Sequence, residues 1–296
     1  MQIAIVGAGN VGAMTASRVV DDNLADVVLV DIVPGLAKGK ALDISDARPV
    51  FDSKAQIIGT GDYKDIKGSD IIVITAGLAR KPGMSRDDLL QKNSKILTDI
   101  SNQVKEYCPN SIVIVVTNPL DAMTYLVMKK TGFDPRRVIG MAGVLDSARF
   151  LNIISEKAKS VDKDKIFMMG SHGDTMVAIN RSENLSKELF NQSLDRARQR
   201  GAEIVSHLKT GSAYFSPSAS VFHMLKAIIK NENKTTLCAS VYLQGEYGEK
   251  DLYIGVPVKL DSTGIKEVIE IDFTDEEKTA FKKSAQSIRS AISKLK

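Results

Sequence analysis

The sequence is short of cysteine and histidine and has no long apolar run, and each shortage removes a class of protein from consideration. Only Cys108 and Cys238 occur in 296 residues, with no CxxC pair and no histidine cluster beside either. Neither a disulfide framework nor a metal site is expected, and a reducing, cytoplasmic setting is the natural reading. The longest apolar runs, residues 71–74 and 112–116, are far below the roughly 20 residues that a membrane-spanning helix requires. The opening Gln2-Ile3-Ala4-Ile5-Val6 breaks at Gly7 and lacks the charged and apolar regions of a secretory signal. Forty Lys and Arg against 36 Asp and Glu leave a net charge of +4, interspersed and without a basic block. Neither nucleic acid nor a membrane is therefore expected as a partner.

What is present is an ordinary globular composition, 43% hydrophobic and 26% charged, in a chain long enough for two domains. Up to about residue 145, short β-branched runs alternate with longer helical patterns. Strands are expected at residues 3–6, 27–30, 56–58, 71–75, 112–117 and 138–140, and helices from about residue 11 and over 37–44, 86–106 and 121–129. Runs apolar on both faces belong in a parallel sheet covered by helices. Beyond that point the rhythm changes to helices near 145–159, 195–208 and 218–230, with strands near 237–241, 252–258 and 265–271. A final helix opens on Thr274-Asp275-Glu276-Glu277, a capping-box pattern.

Gly7-Ala8-Gly9-Asn10-Val11-Gly12 is a GxGxxG placed between a strand and a helix, the context in which it binds a dinucleotide. The first glycine permits a tight turn, the second lets backbone approach a pyrophosphate, and the third lets helix and strand pack closely. Asp31 ends the next strand, where a carboxylate bonds the adenosine ribose hydroxyls and repels a 2′-phosphate, so NAD is expected rather than NADP. Without its context the motif would read as a glycine turn plus a solvated acid. The expected fold is α/β, an N-terminal Rossmann dinucleotide-binding domain over residues 1–143 followed by a C-terminal α+β substrate domain over residues 144–296. With no linker between them, the halves should share a tight interface, a favoured place for a ligand cleft.

Six ordered blocks carry a closer resemblance: GAGNVG from Gly7, TAGLARKPGMSRDDLLQKN from Thr75, VTNPLD from Val116, GVLDSARF from Gly143, GSHGDTMV from Gly170 and GSAYFSPSAS from Gly211. Together they resemble the lactate/malate dehydrogenase family, in particular its malate dehydrogenases of lactate-dehydrogenase-like build, nearly from end to end. Asp261 departs from the family, whose members commonly have glycine at that turn. The resemblance implies an oxidoreductase that moves a hydride between NAD and a small 2-hydroxy acid, as a homodimer or homotetramer.

Oxidising a 2-hydroxy acid needs a base that titrates near neutrality, which points to histidine. Of three, His172 alone sits in a loop-like Gly-Ser-His-Gly-Asp setting, whereas His207 and His223 fall within expected helices. Asp146 and Arg149, three apart at a helix start, project toward the same region; alone, such a pair would read as a surface ion pair. The resemblance makes His172 the acid/base, Asp146 its carboxylate partner and Arg149 the clamp on the substrate carboxylate. Residues 77–86 read as a lid. By resemblance, Arg86 polarises the C2 oxygen and Arg80 meets a second carboxylate, which selects malate and oxaloacetate over lactate and pyruvate. The same resemblance implies that Asn118 touches both substrate and cofactor, with Val116 and Thr117 beside it on the cofactor side, although an Asn before Pro119 also reads as a turn initiator. Asn93 is expected to contribute to the cofactor site from the helix after the lid, against the alternative of a plain polar helix position. A lactate dehydrogenase, a non-catalytic NAD-binding sensor and a metal-using NAD-dependent glycosidase are the competing readings.

Overall fold

The computed structural model describes residues 1–79, 83–158, 161–231 and 236–295. Its first half winds as β1 (Gln2–Val6), α1 (Asn10–Asp21), β2 (Asp26–Val30), α2 (Pro34–Ala47), β3 (Ile57–Thr60), β4 (Ile71–Ile74), α3 (Arg86–Tyr107), β5 (Ile112–Val115), α4 (Leu120–Thr131) and β6 (Val138–Gly140). These six strands are parallel in the order β3-β2-β1-β4-β5-β6. That is the doubly wound dinucleotide-binding arrangement, with its switch point between β1 and β4. The strands are apolar on both sides because helices cover both: Ile3 and Ile5 join one core cluster with α1 and α2 residues, while Ala4 and Val6 join the other with α3 and α4 residues. α3 starts where Ser85 and Asp88 close a reciprocal capping box, and α4 stops at Gly132, which takes a left-handed φ of 71°.

The second half comprises α5 (Gly143–Ser155), β7 (Ile166–Met169), β8 (Val177–Asn180), α6 (Lys187–Leu208), α7 (Phe215–Ile229), β9 (Leu237–Gln244), β10 (Lys250–Asp261), β11 (Gly264–Val268) and α8 (Asp275–Ile292). β7 and β8 form an antiparallel hairpin that the periodicity does not announce as a pair. The later strands form no separate sheet. β9 pairs antiparallel with β6 at Gly140 and Ser240, and β10 and β11 follow it, so one nine-stranded sheet runs through both halves. At the β10–β11 turn, Asp261 accepts hydrogen bonds from the backbone and hydroxyl of Thr263, so its side chain supports the turn. Thr274 and Glu277 close the expected capping box of α8. Among the described residues, no helix is long and apolar enough to cross a membrane.

Candidate active site

The nucleotide end is built by close backbone approach. Gly7 has a φ of 109°, and a Cβ on Gly12 would lie 1.9 Å from the Gly7 carbonyl oxygen. α1 can therefore rest on the turn only because Gly12 has no side chain. Gly9 caps α1 with open space where its Cβ would be; no side chain caps the helix and its first turn carries no acid. Asn10 and Val11 open the helix, so free N–H groups and the positive dipole end face that space, a cradle that a pyrophosphate fits. Asp31 lies beside it: Oδ2 accepts the Ala8 amide at 2.7 Å and Oδ1 the Val33 amide at 2.9 Å. The donor set and the open cradle suit NAD.

From there a cavity of about 770 Å3 runs beneath the C-terminal ends of β4 and β5 to the junction of the two halves. That position and size are those expected of a ligand site in a doubly wound fold. His172, at its wall, follows β7 in a loop whose Gly170 and Gly173 have φ of 81° and 149°. Its Nδ1 meets Asp146 Oδ2 at 2.8 Å, which leaves Nε2 as the nitrogen able to exchange a proton. The negative charge of Asp146 raises the His172 pKa above its usual 6.5, and its hydrogen bond adds to the effect against the opposing influence of burial. Asp146 and Arg149 both come from the first two turns of α5. Arg149 Nη1 lies 3.7 Å from Asp146 Oδ1, an ion pair too long for a good hydrogen bond. The Arg149 side chain is only 13% exposed, lines the cavity and, among the described residues, has no hydrogen-bond partner for Nε. A buried cation with unused donors is a site for an anion. His207 and His223 are exposed on α6 and α7.

Val116, Thr117 and Asn118 follow β5 and line the cavity, with Thr117 Oγ1 donating to the Ala76 carbonyl at 2.6 Å. Arg86 stands exposed at the mouth, ion-paired with Asp174 from the histidine loop. Arg80 lies outside the described residues. Asn93 of α3 bonds backbone on both sides of it. Fully buried and absent from the cavity wall, it accepts from the Leu78 amide at 2.8 Å and donates to the carbonyls of Leu78 and Asn118 at 3.2 and 2.6 Å. It ties Leu78, after β4, to Asn118, after β5.

Two buried residues escape a reading by motif. Asp121, inside the VTNPLD block, accepts from the His172 amide at 3.1 Å and from the Ser240 hydroxyl at 2.7 Å. Burial raises its pKa, against hydrogen bonds that favour the ionised form. Ser284 of α8 accepts from the Ser171 amide at 2.7 Å. Asp121 stands within the VTNPLD block but no role is legible for it there; nothing marks Ser284.

A nucleotide cradle whose Val11 reaches the cavity that holds a proton-exchanging histidine and an anion-seeking arginine places the chain among the dinucleotide-dependent oxidoreductases of small hydroxy acids. Residues 1–140 match the lactate/malate dehydrogenase NAD binding domain and residues 143–296 the lactate/malate dehydrogenase alpha/beta C-terminal domain. The chain belongs to the lactate/malate dehydrogenase family. It is 46% identical to the malate dehydrogenase of Methanosarcina mazei, with 100% of this chain and 99% of that one aligned. Malate dehydrogenase from Cryptosporidium parvum superposes with a TM-score of 0.94 at 37% identity, covering 99% of this chain and 98% of that one. The lactate dehydrogenase of the same organism, solved with lactic acid and nicotinamide adenine dinucleotide, gives 0.93 at 35% identity, covering 99% and 97%. The fold alone thus does not separate the two substrates.

Proposed function

We infer that the chain is an NAD-dependent malate dehydrogenase, interconverting (S)-malate and oxaloacetate. The observation that carries the reading is the His172–Asp146 pair beside the buried Arg149 in a cavity that begins at a dinucleotide cradle. The malate dehydrogenase name of the Methanosarcina mazei relative supports the choice over lactate.

NAD, when bound, supplies the acceptor for the hydride leaving C2 of malate and, when reduced, its donor in reverse. The residues would act as follows. Gly7, Ala8, Gly9, Asn10, Val11 and Gly12 hold the pyrophosphate, and Asp31 the adenosine ribose. Val116, Thr117 and Asn118 frame the nicotinamide side, and Asn93 acts through the backbone it fixes. Arg149 grips the C1 carboxylate in a fork of two hydrogen bonds. Nε2 of neutral His172 takes the hydroxyl proton as malate is oxidised; protonated, it returns that proton to the C2 oxygen of oxaloacetate. Asp146 orients the ring and stabilises its charged form. Arg86 leaves Asp174 to face the C2 oxygen, and Arg80 meets the C4 carboxylate.

The domain division at residue 143, a homodimeric or homotetrameric state and a cytoplasmic location belong to the same reading. Exposed Leu42, Val50 and Phe51 on and beside α2 support association, and free thiols at both buried cysteines suit a reducing compartment. The test is NADH-dependent reduction of oxaloacetate against pyruvate. Faster turnover of oxaloacetate is expected; equal rates or a preference for pyruvate would overturn the malate assignment.

A further inference from the structure

Ala8 is held through both of its flanking peptide units. Its amide donates to Asp31 Oδ2 at 2.7 Å, and its carbonyl accepts from Lys40 Nζ at the same distance. Ala8 sits between the turn glycine and Gly9, so its orientation sets where the following amides of the cradle point. The two side chains arrive from different elements, one from the end of β2 and the other from α2.

α2 is a rigid base for Lys40. A Cβ on Gly59 of β3 would lie 2.2 Å from the Ala37 carbonyl oxygen, so the helix backbone rests directly on the strand. Ala37 and Ala41 are buried there, and the partly buried Lys40 rises next to Ala41. Among the described residues, no carboxylate comes within 4.0 Å of its ammonium, so no direct ion pair occupies it. An ammonium has three N–H donors, and the Ala8 carbonyl occupies one. Beside it, the first turn of α1 has neither an acid nor a side-chain cap.

We propose that Lys40 is a cofactor-site residue, fixing the glycine loop through the Ala8 carbonyl and supplying the cation that offsets Asp31 at the adenosine end of the dinucleotide. The physical need is specific. Asp31 suits ribose hydroxyls but opposes the nearby pyrophosphate, and a fixed ammonium on the other peptide of the same residue compensates that repulsion without competing for the hydroxyls. Lys40 is then also a latent selectivity element: once Asp31 is neutral, its ammonium is the cation available to a 2′-phosphate.

The proposal rests on the reading of the cradle as an NAD site, and binding tests the two separately. Calorimetric titration with NADH is run on the wild-type chain, Lys40→Gln, Lys40→Met and Lys40→Arg, with melting temperatures confirming that each variant is folded. Both neutral variants should raise the NADH Kd by about tenfold, the loss of one charge-assisted contact, while Lys40→Arg recovers most of it. Asp31→Ser should bind NADPH about tenfold more tightly than the wild type, and Asp31→Ser/Lys40→Gln should lose that gain. NADH binding within twofold of wild type by a folded neutral variant, or an NADPH gain that survives in the double variant, overturns the role of Lys40. Failure of the wild-type chain to bind NADH overturns the cofactor reading itself.

Discussion

Asp121 and His172 meet through backbone rather than through the imidazole: Oδ2 of the buried carboxylate accepts the His172 amide, while Oδ1 accepts the Ser240 hydroxyl. One side chain in the first turn of α4 thus joins the histidine loop to β9. The neighbouring amide, that of Ser171, is held from the opposite direction by Ser284 on α8. Two consecutive backbone groups are fixed before Asp146 orients the ring.

Asp121→Ala should therefore damage both stability and turnover. The His172 amide and the Ser240 hydroxyl would lose a buried acceptor, at a cost on the order of 2–3 kcal/mol. A melting temperature lower by several degrees and a reduced kcat are expected. Asp121→Asn retains one acceptor oxygen and should recover part of the stability. It removes a negative charge that favours protonated His172, so its pH–rate midpoint should still lie below that of the wild type. Unchanged midpoints in the Asn variant would refute the electrostatic part.

Asp146→Asn tests the histidine pair. Asp146 is the main cause of the raised His172 pKa, so protonated His172 persists above pH 6.5 in the wild type. Oxaloacetate reduction, which needs the proton, should decline as pH rises through that raised value; malate oxidation should increase over the same range. The Asn variant should move both profiles to lower pH. Stability follows with the same sign. The pair's contribution is complete below the unfolded-state value of 6.5 and is lost as pH rises through the folded-state pKa, so wild type and variant should converge in chemical denaturation at alkaline pH.

Arg149→Lys keeps a positive charge but loses the planar fork. Oxaloacetate kcat/KM should fall roughly 100-fold while NADH affinity is retained, as steady-state kinetics with calorimetry would reveal. A variant with near-normal kcat/KM would remove Arg149 from the substrate clamp.

Arg80→Gln tests the choice of substrate. A distal carboxylate left unpaired in a closed site should lower kcat/KM for oxaloacetate by about a hundredfold or more and improve pyruvate relative to it. An unchanged ratio of the two would remove Arg80 from the specificity role.

The features legible in the sequence are those whose cause is local. The glycine turn, Asp31 at the end of β2 and the Thr274–Glu277 capping box each depend on spacing within one turn or one βαβ unit. The pairing of His172 with Asp146 spans 26 residues and was reached through resemblance; no spacing rule joins a helix start to a distant loop. Asp121 with Ser240, Ser284 with Ser171 and Lys40 with Ala8 were not legible. A serine or lysine on a helix carries no sign of a backbone partner brought to it by tertiary packing. The continuation of the sheet from β6 into β9 is illegible for the same reason, since apolar alternation marks a strand but not its neighbour.

That seam has a consequence for how the enzyme comes into being. Ser240, which helps hold Asp121, is also the residue that pairs with Gly140 where β9 joins β6. The glycine loop, Asp31 and Lys40 all lie within the first 40 residues, whereas support for the histidine loop requires chain made some 200 residues later. During synthesis or refolding, the ability to hold a dinucleotide should therefore appear no later than turnover, and turnover should await closure of the seam. A nascent or nicked chain would be a nucleotide sink before it became a catalyst.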